Sequence, residues 1–388
     1  MRAKLGVVVT YLCSLLQGLT LVAFPASATV LRSDYGIDDA GYGSLFLPQM
    51  AFTIFGSLAG ATLAKRVGLK ALLVISTLLA AGAAVALASV SVVDPGSRLH
   101  VLLVGTGLTG AGFGLAAAPL NALPAKFFPA RADTALVALH TSMGAGLALG
   151  PLVVSAIVAS GGWRAMPIGL ACASAIACVM VLAAVFPIDA NAAGGASESP
   201  PRTTKTTTFT LLLVIAVLYA FCEGTFASWA SVFLSEDRHV DSQLAALALS
   251  AFWAALAVGR LIVAAIVTRV PAERVWMALL VIIGVAFAVV PLANDAATGI
   301  AVFALAGVGC SAFFPLTVGL GTRVHAKAET ASSMLVAALM VGVGSSSFAL
   351  GALRSRLSLE EIYHLSIAYP VLALALAAIV VRSVATKA

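Results

Sequence analysis

From Ala71 to Val93 the chain carries no charged side chain, and the same holds from Ala165 to Ile188 and from Val275 to Asn294. Each run reaches the ~20 residues that an α-helix needs to cross the hydrocarbon core at 1.5 Å per residue. Runs of this length and purity constrain the fold more than any other feature. The composition agrees: 61% of residues are hydrophobic, 10% are charged and the mean hydropathy is +1.07, against roughly 45–50% apolar and 25% charged in soluble domains. The chain reads as an all-α membrane protein with twelve transmembrane helices, at about 5–30, 41–65, 69–93, 99–123, 134–160, 164–187, 208–234, 243–268, 274–293, 296–320, 329–352 and 359–381.

The twelve spans fall into two related sets. Ala130-Arg131-Ala132-Asp133-Thr134-Ala135 returns 196 positions later as Ala326-Lys327-Ala328-Glu329-Thr330-Ala331, and at the same offset Pro119-Leu120 matches Pro315-Leu316. A second region agrees at offset 203, where Gly56 pairs with Gly259 and Arg66-Val67 with Arg269-Val270. Repeated membrane halves are how many secondary transporters are built. Between the halves the composition turns polar and rich in Gly, Ser and Pro from Asp189 to Lys205, as a flexible linker does. The expected organisation is a six-helix bundle at 1–190, a cytoplasmic linker at 191–207 and a second six-helix bundle at 208–388.

A net charge of +6 raises nucleic acid as a partner, but the distribution of the charge excludes it. With the N-terminus placed in the cytoplasm, fifteen Lys and Arg fall inside, six fall outside and Arg260 lies within a span. This is the positive-inside bias, so both termini are expected to be cytoplasmic in a multi-pass protein of the bacterial inner membrane. The five cysteines are odd in number and scattered through spans, which excludes a disulfide framework or a metal site. Arg2, Lys4 and Ala26-Ser27-Ala28 imitate a secretory signal; removing it would unpair the halves, so the segment is read as span one. Asp133 and Glu329 stand at the starts of spans five and eleven, where carboxylates cap free N–H groups.

Small residues mark where helices meet. Gly56 and Gly60, Gly110 and Gly114, and Gly146 and Gly150 are each four apart, the spacing that lets backbones approach closely in lipid. Gly105-Thr-Gly107-Leu-Thr-Gly110 fits a dinucleotide-binding pattern, but it lies inside an apolar span without the required strand before it. No cofactor is expected.

At the turn between spans two and three the chain reads Ala61-Thr-Leu-Ala64-Lys65-Arg66-Val67-Gly68-Leu69-Lys70. This resembles the cytoplasmic motif of the major facilitator superfamily, Gly-x-Leu-Ala-Asp-Arg-x-Gly-Arg-Arg, with a counterpart at Val267-Thr268-Arg269-Val270-Pro271 after span eight. The resemblance implies two pseudo-symmetric six-helix bundles and a conformational latch at Lys65, Arg66, Gly68 and Arg269. Ala61 and Lys65 replace the motif's first glycine and its acidic residue, so any charge relay built on that carboxylate is absent or rewired. Glu223-Gly-Thr-Phe-Ala-Ser-Trp229 and Phe252-Trp253-x5-Gly259-Arg260 look most like the branch containing fucose permease and related proton symporters. The acidic residues of that symporter in spans one and four have no counterpart, Gln17 and Asn121 being the nearest polar groups. Gly146-Leu-Ala-Leu-Gly150-Pro151 resembles an antiporter motif whose last glycines are Val154 and Ser155 here; it is read either as a mark of efflux or as a Gly-Pro hinge and seam.

Between Lys205 and Glu236, Glu223 is the sole acidic or basic side chain. A carboxylate in mid-membrane is costly unless paired, protonated or hydrated. Glu223 therefore either carries a proton or binds substrate, or it pairs with a neighbouring helix. Arg260 shares a helix face with Trp253 and Ser250, and either holds an anionic or hydroxylated substrate, pairs with Glu223, or snorkels to the interface. His140 in span five is the second candidate for a proton path. Gln17, Gln49, Asn121, Phe313 and Phe314 complete the candidate substrate-binding residues, as cavity wall or as helix packing. The expected function is secondary active transport of a small polar organic solute by alternating access, coupled to protons, by a monomer in the lipid bilayer. The alternative is a drug or metabolite exporter working as a proton antiporter. An enzyme is not expected, because the few buried ionisable groups are dispersed.

Overall fold

The computed structural model describes residues 2–160, 162–187, 204–326 and 328–385. Residues 191–203 of the expected linker lie outside the described residues, as do Lys327, the side chains of Ala61, Asp133 and Glu329, and with them the expected capping roles of those two carboxylates. Among the described residues there is no β-strand. The chain divides into two compact units, Met1–Gly195 and Ala196–Ala388.

The first unit contains α1 (Arg2–Ala26), α2 (Ala28–Ser33), α3 (Asp39–Ser44), α4 (Phe46–Ser89), α5 (Arg98–Phe127), α6 (Ala132–Ala159) and α7 (Ala165–Ala183). The second contains α8 (Thr206–Val232), α9 (Ser242–Ile266), α10 (Ala272–Ala288), α11 (Ala296–Cys310), α12 (Phe313–Val324), α13 (Ala328–Leu353), α14 (Leu359–Leu365) and α15 (Ala368–Ala385). Ten helical segments among the described residues are long and apolar enough to cross a membrane. The two other expected spans are the stretch of α4 before Gly68 and the 17-residue α10. Gly68 divides α4 into two helices, because its φ of 83° and ψ of 159° lie where only glycine is at ease. At the corresponding turn of the second unit Pro271 stands just before α10 with φ −52°, an angle the proline ring sets.

The same helix pairs meet within each unit, and glycine sits at the crossings. A Cβ on Gly18 of α1 would strike the Met143 carbonyl of α6, and one on Gly146 would strike the Leu15 carbonyl in return. In the second unit Gly224 of α8 and Gly342 of α13 meet in the same reciprocal way, at Val343 and at Val217 and Ala220. Likewise Gly110 of α5 abuts the Gln49 carbonyl of α4, and Gly307 of α11 abuts the Phe252 carbonyl of α9. Since lipid removes the usual hydrophobic drive between helices, such close packing is what holds them together.

Around these seams the units differ. The second has an aromatic core in which Phe226 lies 4.3 Å from Phe287, 5.8 Å from Phe303 and 5.5 Å from Tyr363. The Tyr363 hydroxyl donates to the Thr225 carbonyl at 3.1 Å, which fixes the height of α8 against the last span. In the first unit polar side chains stitch α1 to α6: Tyr11 and Ser14 donate to the carbonyls of Ala135 and Leu139, each at 2.9 Å. Three of the six basic residues assigned to the outer end by sequence are held by carboxylates, Arg32 by Asp39 and Arg238 by Glu360, both at 2.8 Å, and Arg354 by Asp237.

Candidate functional site

Glu223 is half-buried in the middle of α8. Tyr219, one turn earlier on the same face, approaches it with Oη 2.5 Å from Glu223 Oε2. The same hydroxyl lies 2.8 Å from the carbonyl oxygen of Cys310 at the end of α11, and Tyr219 itself is 1% exposed. Its ring stacks on Phe313 at 4.7 Å, and Phe313 stacks on Trp276 at 5.3 Å. Trp276 Nε1 in turn donates to Thr317 Oγ1 at 2.8 Å. The tyrosine is thus held from three sides, with one polar atom facing two oxygens.

Span ten is broken beside this contact. α11 ends at Cys310, Ser311 and Ala312 form a turn, and α12 starts at Phe313. Pro315 stands four residues after Ser311 and has no N–H to give to the Ser311 carbonyl. Arg260 supplies the missing donor from α9, its Nε lying 2.9 Å from Ser311 O. Gly259 makes this reach possible, since a Cβ there would sit 2.6 Å from the Cβ of Ser311. Arg260 is exposed, and that bond is its one hydrogen bond among the described residues. Its two Nη groups remain a free, permanently charged fork suited to a carboxylate. Arg260 forms no ion pair with Glu223; it is near enough only for electrostatic attraction.

The other expected residues fall into three groups. Trp253 is half-buried on the Arg260 side of α9, edge-on to Phe252 at 5.1 Å, and its Nε1 and the Ser250 hydroxyl are buried without a hydrogen-bond partner. Phe314 is half-buried and lies 6.5 Å from Tyr219, whereas Phe313 is 0% exposed inside the aromatic stack. In the first unit Gln17 Nε2 reaches the Gly112 carbonyl of α5 at 3.4 Å, while Gln49, with Oε1 buried and unpartnered, lies against Gly110 of the same helix. Asn121 is exposed and bonds back to the Ala117 carbonyl at 2.8 Å, and His140 is half-buried in α6. Of the expected latch residues, Lys65, Arg66 and Arg269 are exposed at their turns and Gly68 forms the kink. Lys70 is bonded instead, its Nζ donating to the carbonyls of Leu182 and Ala184 at the end of α7, at 2.7 and 2.9 Å.

Gly146 and Gly150 pack α6 onto α1 at Leu15 and Val22, so in this structure the antiporter-like segment serves the seam. An apolar crevice between α1, α6 and α7, lined by Leu16, Leu19, Val154 and Met166, offers no polar group to orient a solute. No cluster of His, Cys, Asp or Glu fit to hold a metal lies among the described residues. Tyr219 and the Cys310 carbonyl are absent from the sequence-derived candidates. The spacing of Tyr219 four residues before Glu223, and of Pro315 four after Ser311, was the available signal.

Residues 10–351 match the sequence profile described as Major Facilitator Superfamily. The chain is 27% identical over 160 residues to the 4-hydroxybenzoate transporter PcaK of Acinetobacter baylyi, a stretch that is 41% of this chain and 34% of that protein. The match thus spans about a third of the relative's length. Among solved structures, a bacterial homolog of the human lysosomal transporter Spinster aligns with a TM-score of 0.75 at 14% identity, covering 98% of this chain and 97% of that one. The nucleoside transporter NupG aligns with a TM-score of 0.76 at 15% identity over 98% and 100%. At such identities the likeness is one of fold.

Proposed function

Because the chain belongs to the major facilitator superfamily, and is therefore a multi-pass membrane transporter and not an enzyme, we propose that it moves a small polar organic solute by alternating access, driven by protons carried on Glu223. The observation that carries this reading is the environment of that one carboxylate. It is half-buried in a membrane helix and forms no ion pair among the described residues, its sole hydrogen-bond partner there being the neutral Tyr219. A carboxylate without a fixed counter-charge is able to gain and lose a proton within the transport cycle. Arg260, with its free Nη fork, anchors the solute, and Trp253 and Phe314 flank it. Hydroxylated aromatic acids are the first class to examine, since PcaK is by name a 4-hydroxybenzoate transporter and a proton taken up with such an anion neutralises its charge. In this reading the protein works as a monomer in the bacterial inner membrane with both termini in the cytoplasm, and Lys65, Arg66, Gly68 and Arg269 latch its cytoplasmic end.

The test is uptake into proteoliposomes of a panel of small organic acids that includes 4-hydroxybenzoate, under an imposed proton gradient. The parent should accumulate its substrate uphill, while Glu223→Gln should exchange it across the membrane without accumulating it. If Glu223→Gln accumulates substrate as the parent does and with the same pH profile, Glu223 is a helix-packing partner and His140 becomes the next candidate.

A further inference from the structure

A tyrosine hydroxyl has one proton to give. Tyr219 Oη nevertheless stands at hydrogen-bond distance from two oxygens, 2.5 Å from Glu223 Oε2 and 2.8 Å from the Cys310 carbonyl. The carbonyl can only accept. Both contacts are full two-centre hydrogen bonds at once only when Glu223 brings a proton of its own, which it donates to Tyr219 while Tyr219 donates to Cys310. When Glu223 is ionised, its carboxylate becomes the stronger acceptor and draws the single hydroxyl proton to itself, so the tie to Cys310 is dropped.

Resting on the reading of Glu223 as the proton carrier, we propose that Tyr219 is the positioning residue that converts the protonation state of Glu223 into the presence or absence of a tether on the broken span ten. The tether ends one residue before Ser311, whose carbonyl Arg260 holds. Loss of a proton at Glu223 thus loosens the turn that fixes Arg260, although the two charged groups never touch. Glu223 gives its proton to water that reaches it during the transport cycle, and Tyr219 keeps its own throughout. The titratable groups around Glu223 are Tyr219 and Cys222 on α8, Arg260 on α9 and Cys310 on α11, with Tyr369 of α15 facing Cys222. The parts of α13 against Gly224, at Val343 and Ser346, are uncharged, and Phe314 of α12 carries no titratable group. Among the described residues, Glu223 and the Cys310 carbonyl are the two oxygens within hydrogen-bond distance of the Tyr219 hydroxyl.

Hydrogen exchange of the full-length protein in lipid nanodiscs, followed on the peptide covering residues 308–317 and normalised for the intrinsic pH dependence of exchange, reads the local opening that the tether restrains. In the parent, protection should fall about tenfold, the scale of one buried hydrogen bond, as pH rises through the titration of Glu223. Glu223→Gln should stay protected at every pH, because its amide donates to Tyr219 permanently. Tyr219→Phe should stay unprotected at every pH. Opposite plateaus in the two variants are the signature that simple loss of packing would not give. A pH step that persists in Tyr219→Phe, or a parent that shows none, overturns the proposal; should Tyr219→Phe fail to fold, the parent and Glu223→Gln still decide it. Failure here with proton-driven accumulation still lost in Glu223→Gln removes only the role of Tyr219. An intact exchange step with accumulation retained in Glu223→Gln removes the reading of Glu223 as the coupling proton carrier instead.

Discussion

Pro119 and Pro315 are counterparts in the two halves, yet α5 runs from Arg98 to Phe127 through Pro119 without interruption, while the chain breaks at Ser311 and Ala312 just before Pro315. The neighbours explain the contrast. In the second unit the carbonyls at the break are held by Tyr219 from α8 and Arg260 from α9. In the first, the residue matching Gly259-Arg260 is Ser57 after Gly56, which brings no charge, and Gly56 and Gly114 press the two helices together. Gln17, in the place of Glu223, makes one long bond to the Gly112 carbonyl. The duplicated halves kept the glycines that let helices cross and diverged in the polar groups beside them. Packing is therefore the shared inheritance, while the carboxylate and the guanidinium set within spans, Glu223 and Arg260, both lie in the second half.

If the seams are equivalent, matching substitutions should do matching damage. Gly110→Ala and Gly307→Ala each drive a Cβ into a backbone carbonyl, of Gln49 and of Phe252, and should each cost ~3 kcal/mol, at the upper end of overpacking. Gly169→Ala and Gly319→Ala, where a Cβ meets nothing within 4 Å, should be neutral or gain up to ~1 kcal/mol of helix propensity. Thermal unfolding in one detergent compares all four; a large loss in one half only would break the equivalence.

The turns bearing Arg66 and Arg269 should respond unequally. Gly68→Ala forces a residue with a Cβ to φ 83°, ψ 159° and should lose ~1–2 kcal/mol to backbone strain alone, since a Cβ there would meet nothing within 4 Å. Pro271→Ala keeps an accessible φ and should lose less than ~1 kcal/mol. Equal losses in unfolding experiments would mean that the two turns are not alternative solutions to one problem.

How much of this was readable beforehand depended on whether a side chain or the backbone carries the feature. Glu223 and Arg260 stood out because a charge inside an apolar run is costly wherever it points. The repeat was legible from short identities such as Pro119-Leu120 and Pro315-Leu316. Which of Phe313 and Phe314 would be interior was not, because adjacent residues on a helix point about 100° apart and only the neighbours decide. The Cys310 and Ser311 carbonyls have no residue letter of their own, and Lys70 finds the end of α7 only through tertiary contact. Sequence reading thus names the charges and misses the carbonyls they serve.

The smallest expected effect lies at the starts of spans four and ten. Asp295 caps α11 by accepting from the Thr298 N–H and hydroxyl at 2.8 and 2.9 Å, which holds its carboxyl below the ordinary aspartate value of 3.8. At the start of α5, Ser97 makes no side-chain cap. A carboxylate with a lowered pKa stabilises the fold above its ordinary value and loses that contribution as pH falls through the lowered one. Asp295→Ala should therefore lower the unfolding temperature slightly at neutral pH, with the difference shrinking below the ordinary aspartate value and vanishing in acid below the lowered one. Ser97→Ala should change nothing at either pH, and a Ser97 effect equal to that of Asp295 would erase this difference between the halves.

The claim that proton chemistry belongs to the second half is tested most directly by the pH dependence of substrate affinity in the parent, Glu223→Gln and Gln17→Leu, using the solute that the proteoliposome panel identifies. Proton and substrate binding are linked, so each must change the affinity of the other by the same factor. The account predicts an affinity that changes with pH in the parent and in Gln17→Leu and stays flat in Glu223→Gln. An unchanged pH dependence in Glu223→Gln, or its loss in Gln17→Leu alone, would contradict it.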